Sequence, residues 1–288
     1  MSKQTVGFIG IGVMGKSMAS HIMKAGYPLV VYTRTKEKAQ ELLDEGANWV
    51  DTPLQLAEQA DIIISMVGYP RDVEEIYLGE NGIISKGREG LYVIDMTTSK
   101  PSLAIKLHNE GKKKGIYVLD APVSGGDIGA KNAKLAIMVG GDEQVFNEMK
   151  PLLAVMGNNI VYQGQAGSGQ HTKMCNQIVI ASNMIGVCEA IVYAEKAGLE
   201  PNKVLESIST GAAASWSLSN LAPRIINEDY SPGFFIKHFV KDMQIALEEA
   251  QAMDMETPGL ALSKKMYETL NENGEGDSGT QALYKYWK

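Results

Sequence analysis

Lys173 lies near the start of a long apolar segment that contains no other charged residue before Glu189. A charge in such a segment requires a chemical explanation. The segment GSGQHTKMCNQIVIASNMIGVCEA begins at Gly167, and fifteen residues without a charge separate Lys173 from Glu189. A lysine that served only solubility would have charged neighbours. A protonated amine that faces a carbonyl under reduction could stabilise the developing negative charge on oxygen and then donate a proton. The alternative is a lysine whose stem lies on apolar surface while its ammonium reaches solvent.

A second group of residues suited to chemistry is the glycine pattern GFIGIGVMG near the start of the chain. Gly10, Gly12 and Gly15 have G-x-G-x-x-G spacing between the first predicted strand and a predicted helix. The first glycine permits a tight turn, the second lets the backbone approach a pyrophosphate, and the third permits close packing of helix and strand. The helix N-terminus then presents N–H groups to the anion. This context predicts a dinucleotide site that includes Val13 and Met14, rather than a merely structural turn.

The end of the second predicted strand indicates which dinucleotide is bound. An NAD site has an Asp or Glu about 20 residues beyond the glycines, which binds the ribose hydroxyls. Here the sequence reads VVYTRTKEK without that acid, and Thr33, Arg34 and Thr35 offer hydroxyls and a cation. Such groups suit the 2′-phosphate of NADP. We therefore expect a preference for NADP, with NAD possible; the alternative is an arginine on a surface loop.

Further candidates follow the later strands of the same half of the chain. Ligands of a parallel sheet bind beyond the carboxyl ends of its strands, where DIIISMV, DMTTSKP and DAPVSGG place polar groups and glycines. In DAPVSGG, successive backbone N–H groups could form a small anion nest for a carboxylate. The candidates at these strand ends are Met66, Val67, Thr98, Ser124, Gly125 and Gly126.

The elements that must position these residues change in character along the chain. Before Gly164, apolar strand patterns alternate with helical patterns, and DIIISMV is fully apolar, which is typical of a buried parallel strand. LYVIDMT, IYVLDAP and LAIMVGG continue this series. The sequence therefore predicts an α/β Rossmann-type doubly wound sheet over 1–164, followed over 165–288 by an all-α substrate and oligomerisation domain joined by a long interdomain helix. The helices predicted in the second part are 170–197, 202–209, 218–227, 239–253 and 259–272.

Composition and charge argue against several classes of protein. The 288 residues carry a net charge of −7, which does not suit a broad nucleic-acid surface. The most apolar window, 178–194, contains Asn183 and Glu189 and is too short and too polar for a membrane span. Cys175 and Cys188 would lie about 20 Å apart on the predicted helix, beyond disulfide reach. Four histidines show no metal-ligand spacing. We expect a reduced, cytoplasmic protein without metal, nucleic acid or membrane partner.

Four expectations concern packing. Cys175 is predicted to be a small buried hydrophobe, and Trp216 is assigned to the helical core rather than to the wall of a substrate pocket. The last residues, 284–288, are expected to fray because they end the chain. The long apolar helix needs a cover for its surface, which predicts a homodimer or homotetramer.

The sequence resembles the β-hydroxyacid dehydrogenase family over its whole length. The resemblance depends on five motifs in the family's order: GFIGIGVMG, DMTTSKP, DAPVSGG, GSGQHTKMCNQ and FVKDMQIA. The family includes 3-hydroxyisobutyrate dehydrogenase, tartronate semialdehyde reductase and the glyoxylate/succinic semialdehyde reductases. The resemblance implies an NAD(P)-dependent oxidoreductase that interconverts a small β-hydroxyacid and its aldehyde- or keto-acid by hydride transfer.

The resemblance also implies roles for matching positions. Lys173 matches the catalytic lysine, a general acid and base, and residues 124–126 match the loop that binds the substrate carboxylate. Thr98 matches a residue beside the nicotinamide and substrate, and Lys241 matches a lysine near the cofactor. The family usually has an asparagine four residues after the catalytic lysine.

In this chain Gln177 occupies that position and Asn176 precedes it. Residues three and four apart share a helix face, so either amide could orient the substrate.

Two alternatives to a β-hydroxyacid dehydrogenase stay open at this point. An imine reductase of the same fold is one, although such relatives typically lack the lysine that Lys173 matches. A catalytically silent NADP-binding scaffold is the other, and the intact DAPVSGG and DMTTS segments count against it. Oxidation of NADPH in the presence of semialdehyde acids would distinguish the three.

Overall fold

The structure, a computed structural model, describes residues 3–288. Residues 1 and 2, with which the predicted domain 1–164 begins, lie outside the described residues. The chain divides into two compact units, the first ending at Lys173 and the second covering Met174–Lys288. The division falls inside a helix of 29 residues, Ser168–Lys196, whereas the sequence prediction placed the boundary between this helix and the strand before it.

The first unit contains a nine-stranded sheet with strand order β3-β2-β1-β4-β5-β6-β8-β7, and β9 pairs with β8. The strands are β1 (Val6–Ile9), β2 (Leu29–Tyr32), β3 (Asn48–Trp49), β4 (Ile62–Ser65), β5 (Tyr92–Asp95), β6 (Tyr117–Asp120), β7 (Val123–Ser124), β8 (Leu135–Gly140) and β9 (Gly157–Gly164). The first six are parallel to one another. The order reverses beside β1, which is the switch point where Rossmann-type sheets bind ligands.

The direction of strand β8 differs from the one predicted from the sequence. LAIMVGG was expected to continue the parallel series, but β8 is antiparallel to both β6 and β7. The chain returns from β7 to β8 through one short helix, Gly126–Lys131, and a connection this short suits an antiparallel pair better than a parallel crossover. Local hydrophobicity does not reveal this, because a strand buried in a sheet is apolar in either direction.

Helices flank the sheet, whose two faces are both apolar. Adjacent residues of β1 point to opposite faces, so that Phe8 joins one buried cluster and Ile9 the other. All four residues of β4 are buried, as its unbroken apolar pattern predicts. The helices of this unit are α1 (Val13–Lys24), α2 (Gln40–Asp44), α3 (Pro53–Gln59), α4 (Pro70–Leu78), α5 (Ile83–Lys86), α6 (Pro101–Lys112), α7 (Gly126–Lys131) and α8 (Glu143–Leu153), with a 3₁₀ turn at Lys36–Ala39.

The second unit is helical, as predicted, and has its own apolar core. Its helices are α9 (Ser168–Lys196, which begins in the first unit), α10 (Pro201–Ile208), α11 (Trp216–Asn220), α12 (Ala222–Ile226), α13 (Ile236–Ala252) and α14 (Pro258–Glu272), with 3₁₀ helices at Glu275–Asp277 and Thr280–Trp287. The helix predicted over 218–227 is divided between α11 and α12. Pro223 has no N–H to continue the ladder of α11, and prolines fit the first turn of a new helix.

Three packing expectations for this unit are wrong. Cys175 is exposed, whereas Cys188 is buried. Trp216 is 61% exposed at the start of α11 and takes no part in the core. The end of the chain does not fray, since Tyr284 is buried and its hydroxyl donates to the carboxylate of Glu195.

Helix α9 is long and apolar enough to cross a membrane by length and composition, although half of its most apolar window is buried within the protein. The expectation that this segment is too short for a span is therefore wrong. A core helix of a globular unit has the same composition, and α9 supplies core residues such as Ala181 and Met184.

Candidate active site

The turn between β1 and α1 has the shape that a dinucleotide phosphate requires. Gly10 has φ +96°, and a Cβ there would lie 2.2 Å from the carbonyl oxygen of Met66. A Cβ at Gly15 would lie 1.9 Å from the carbonyl oxygen of Gly10. At Gly12 a Cβ would meet nothing within 4 Å, and no side chain caps α1 at this residue. The first turn of α1 thus presents unoccupied N–H groups to open space, which fits an anionic phosphate.

The end of β2 carries the residues predicted to distinguish NADP from NAD. Thr33 is half-buried, while Arg34 and Thr35 are exposed. The Arg34 guanidinium lies 3.5 Å from the carboxylate of Asp72, in the first turn of α4. The same carboxylate accepts a hydrogen bond from the Tyr69 N–H. An acid therefore lies beside Arg34, on α4 rather than at the end of β2. Asp72 was not predicted from the sequence, because an acid for the ribose was expected only at the end of β2.

A series of buried hydrogen bonds joins the carboxyl ends of β4 and β5. Ser65 and Asp95 are paired in register, and the Ser65 hydroxyl donates to Asp95 at 2.7 Å while accepting from the Tyr77 hydroxyl at 2.7 Å. The Asp95 carboxylate also accepts from the Thr97 N–H, and the Thr97 hydroxyl accepts from the Val67 N–H. The predicted cofactor residue Val67 is thereby bound to Thr97, which immediately precedes the predicted Thr98.

Burial raises the pKa of Asp95 from 3.8 to about 6, although hydrogen bonds from Ser65 and Thr97 oppose the shift. A carboxyl with a higher pKa in the folded than in the unfolded chain favours folding when protonated. Its contribution is present below pH 3.8 and is lost as the pH rises through about 6.

We expect the free energy of unfolding of the wild type to fall by about 2 kcal/mol from this group between pH 4 and 6. Asp95→Asn keeps the acceptor oxygen for Ser65 and Thr97 and should remove that slope. Denaturant titrations across this range measure it. Asp44→Asn, at an exposed carboxylate on α2, should leave the slope intact. Equal slopes in wild type and Asp95→Asn would contradict the assignment.

The start of α9 is bound to the end of β6 by Asp120. Its two carboxylate oxygens accept from the Gly167 N–H at 2.8 Å and from the Gln170 N–H at 2.9 Å. Burial raises the pKa of Asp120, against the opposing effect of these hydrogen bonds. Since the first N–H groups of a helix have no intrahelical partner, this carboxylate satisfies two donors at the point where the lysine helix begins.

Lys173 lies just beyond this cap and is only 7% exposed. Its ammonium donates to the carbonyl oxygen of Val123 at 2.9 Å, so it does not extend to solvent as the alternative interpretation requires. Val123 immediately precedes Ser124, Gly125 and Gly126. The two glycines have φ +131° and +61°, which side chains with a Cβ rarely adopt and which an anion nest uses. The structure thus brings the predicted lysine to the predicted carboxylate loop.

The second unit contains a polar group that includes three predicted residues. Gln177 is fully buried; its amide nitrogen donates to Asp242 at 2.6 Å, and its amide oxygen accepts from Asn176 at 2.7 Å. The Lys241 ammonium lies 2.8 Å from the other oxygen of Asp242. Asp242 was not among the predicted site residues, although its place beside Lys241 in FVKDMQIA was a signal.

Metal ligands do not cluster anywhere in residues 3–288: no group of three or more His, Cys, Asp or Glu side chains there could hold an ion.

Two family models match the chain. Residues 5–164 match the NAD-binding domain of 6-phosphogluconate dehydrogenase. Residues 167–287 match a second model, described as the NAD-binding region of NADP-dependent 3-hydroxyisobutyrate dehydrogenase. A 2-hydroxy-3-oxopropionate reductase from Escherichia coli is 40% identical over 96% of this chain and 95% of its own. This chain belongs to the β-hydroxyacid dehydrogenase family. The family resemblance inferred from the five motifs is confirmed, together with the NAD(P)-binding fold.

Other members of the β-hydroxyacid dehydrogenase family show the same likeness over nearly their full length. An uncharacterized oxidoreductase of Bacillus subtilis, YkwC, is 63% identical over 99% of both chains. The solved structure of a 3-hydroxyisobutyrate dehydrogenase from Mycobacterium tuberculosis, with L-serine, is 28% identical, covers 99% of both chains and has a TM-score of 0.91. The sheet and the helical unit are therefore shared with that solved structure.

Proposed function

We propose that this β-hydroxyacid dehydrogenase reduces a small aldehyde- or keto-acid to its β-hydroxyacid with NADPH, or runs the reverse oxidation, with Lys173 as general acid and base. The observation that carries the proposal is the buried Lys173 ammonium on the Val123 carbonyl, directly before a loop of two positive-φ glycines. An amine and an anion nest so close together suit a substrate whose carbonyl and carboxylate are separated by few bonds.

The bound nicotinamide cofactor supplies or accepts the hydride. The chain's own groups bind and orient the reactants: the first turn of α1 receives the pyrophosphate, and the N–H groups of residues 124–126 hold the substrate carboxylate. Lys173 then faces the carbonyl oxygen and stabilises the negative charge that reduction places on it. Its ammonium donates one proton to that oxygen, completing the alcohol. In the oxidation the neutral amine accepts the same proton.

Hydrogen bonding distinguishes the two amides that follow Lys173 on α9. Both ends of the Gln177 amide are engaged, with Asp242 and with Asn176, and its side chain is fully buried. Asn176 is half-buried and its orientation is set by Gln177. We therefore assign substrate orientation to Asn176 and a supporting role to Gln177.

Support for a small carboxylate substrate comes from a relative. The 3-hydroxyisobutyrate dehydrogenase of M. tuberculosis was solved with L-serine, a small acid with a hydroxyl on its β-carbon. An assay of NADPH oxidation with a panel of small aldehyde- and keto-acids, together with a cyclic imine, tests the proposal. We expect turnover with at least one acid and none with the imine. Turnover of the imine alone would favour an imine reductase, and NADPH binding without any turnover would favour a silent scaffold.

We propose a preference for NADPH that depends on Arg34. Arg34→Ala should weaken NADPH binding by roughly one to two decades, because a charge-assisted pair with the 2′-phosphate contributes about 1.5–3 kcal/mol. NADH binding should barely change. Titration of intrinsic fluorescence with each cofactor measures both affinities.

The control is Arg88→Ala, which removes another partly exposed arginine–aspartate ion pair, with Asp61, at the amino end of β4. Asp72→Asn keeps an acceptor for the Tyr69 N–H but releases Arg34 from its charge partner, and should widen the preference for NADPH. Equal wild-type affinity for the two cofactors would contradict the proposal.

We further propose that α9 is covered by a second copy of the chain. Val179 is 66% exposed and Tyr193 is 73% exposed on this helix, and the exposed residues Cys175, Ser182, Gly186 and Glu189 continue the same spacing of three and four residues. Such spacing produces one continuous face of a helix. Light scattering should show a dimer or a larger oligomer at micromolar concentration, and a stable monomer would contradict this proposal.

A further inference from the structure

Gln170 has an unusual set of contacts in the first turn of α9, three residues before Lys173. The side chain is fully buried. Its amide oxygen accepts from the Ser99 N–H at 2.9 Å, and its amide nitrogen donates to the Thr97 carbonyl oxygen at 2.7 Å. The amide therefore pairs with the backbone on both sides of Thr98, much as a neighbouring strand would.

The turn that Gln170 holds is fixed from its other side as well. The Thr97 N–H donates to Asp95, and the Thr97 hydroxyl accepts from the Val67 N–H. The backbone of Gln170 is itself bound, through its N–H, to Asp120. A shift of the 97–99 turn relative to the first turn of α9 would leave buried polar groups without partners, and each such group costs about 1–3 kcal/mol.

We propose that Gln170 is a positioning residue that fixes the Thr98 turn at a set distance from Lys173. The proposal rests on the function proposed above, in which Lys173 acts on the reacting oxygen. A glutamine suits the task because its planar amide offers an N–H donor beside an oxygen acceptor, which match the Thr97 carbonyl and the Ser99 N–H. Glutamate would place an oxygen against the Thr97 carbonyl, and methionine would pair with neither group.

The test compares Gln170→Met with a matched variant, Gln281→Met. Gln281 is also buried, at 1% exposure, and its amide nitrogen donates to the carbonyl oxygens of Asp229 and Ser231 at 2.9 and 3.0 Å. Both substitutions remove buried amide–backbone hydrogen bonds at nearly constant volume, so both should lower Tm. Only Gln170→Met should lower kcat, by about one to two decades, because small misplacements of reacting groups cost rates of that order.

A loss of kcat without a loss of substrate or cofactor binding identifies a positioning residue. In Gln170→Met, KM and the Kd for NADPH should stay within about threefold of wild type, because binding groups are retained while alignment in the transition state is lost. Gln170→Glu should show the same division, and it replaces the methionine variant if that protein does not fold. A kcat within a factor of about two of wild type, or an equal loss of kcat in Gln281→Met, would overturn the proposal.

Hydrogen exchange supplies a readout that does not depend on activity. The Ser99 N–H is held by Gln170 in the wild type and should exchange faster in Gln170→Met, while peptides around the β1–α1 turn exchange as before. If the wild type turns over no aldehyde- or keto-acid, the proposed function fails. The difference in exchange would still test whether Gln170 holds the 97–99 turn. Unchanged exchange at residues 97–99 would show that Gln170 does not hold the turn.

Discussion

Lys173→Met should lower kcat by about two to four decades, the usual cost of losing a positioned proton donor. The ammonium acts on charge that develops on the substrate oxygen only in the transition state, so its removal should leave ground-state binding of NADPH within about threefold of wild type. Methionine keeps the length and apolar stem of the side chain, which is 7% exposed, and loses the bond to the Val123 carbonyl. Steady-state oxidation of NADPH and a fluorescence titration of the cofactor measure the two effects.

The control for this variant is Lys196→Met, which changes an exposed lysine at the other end of the same helix. It should keep the wild-type kcat, which separates loss of the Lys173 amine from any general effect on α9. Retention of more than about a tenth of wild-type kcat in Lys173→Met would exclude Lys173 as the general acid.

Gly125→Val should raise KM for the substrate sharply and lower kcat/KM by about one to two decades, the effect of losing charge-assisted hydrogen bonds to a carboxylate. Gly125 has φ +131°, which a β-branched residue does not adopt, so the N–H groups of the loop should turn away from the anion. A Cβ there would lie in ordinary contact, 3.4 Å from the Leu135 side chain, so the strain comes from φ and not from crowding. NADPH affinity should not change, because the cofactor binds the β1–α1 turn.

Gly46→Val is the matched control for the strain in Gly125→Val. Gly46 is exposed, has φ +107°, and a Cβ there would meet nothing within 4 Å. It should destabilise the fold through the same positive φ and leave KM unchanged. If both variants raise KM alike, or if Gly125→Val weakens NADPH as much as substrate, the loop does not hold the carboxylate.

Features encoded in short stretches of sequence were predictable. The turn at Gly10, the buried strand β4 and the helices α9, α13 and α14 each follow from local patterns of glycine and apolar residues. The direction of β8 was not predictable from such a pattern, because it depends on the short return through α7. The break between α11 and α12 could have been found from Pro223 alone.

Features that depend on contacts between distant residues could not be read from the sequence. Asp72 reaches Arg34 from another element, and Gln170 reaches Thr97 and Ser99 across more than seventy positions of the chain. Asp95 and Asp120 look like ordinary strand ends until the register of β5 and β6 places them side by side. Lys173 was predicted, whereas the groups that hold its helix were not.

The most direct test of the central claim is the ratio of kcat/KM for a small aldehyde that carries a carboxylate to that for its uncharged amide, both with NADPH. The carboxylate is expected to anchor the molecule on residues 124–126 so that its carbonyl oxygen meets Lys173. We predict that the acid is preferred by at least about tenfold, since a hydrogen bond to a charged group contributes about 1.5–3 kcal/mol. The preference should disappear in Gly125→Val. An amide as good as the acid in the wild type would contradict the carboxylate-anchored mechanism.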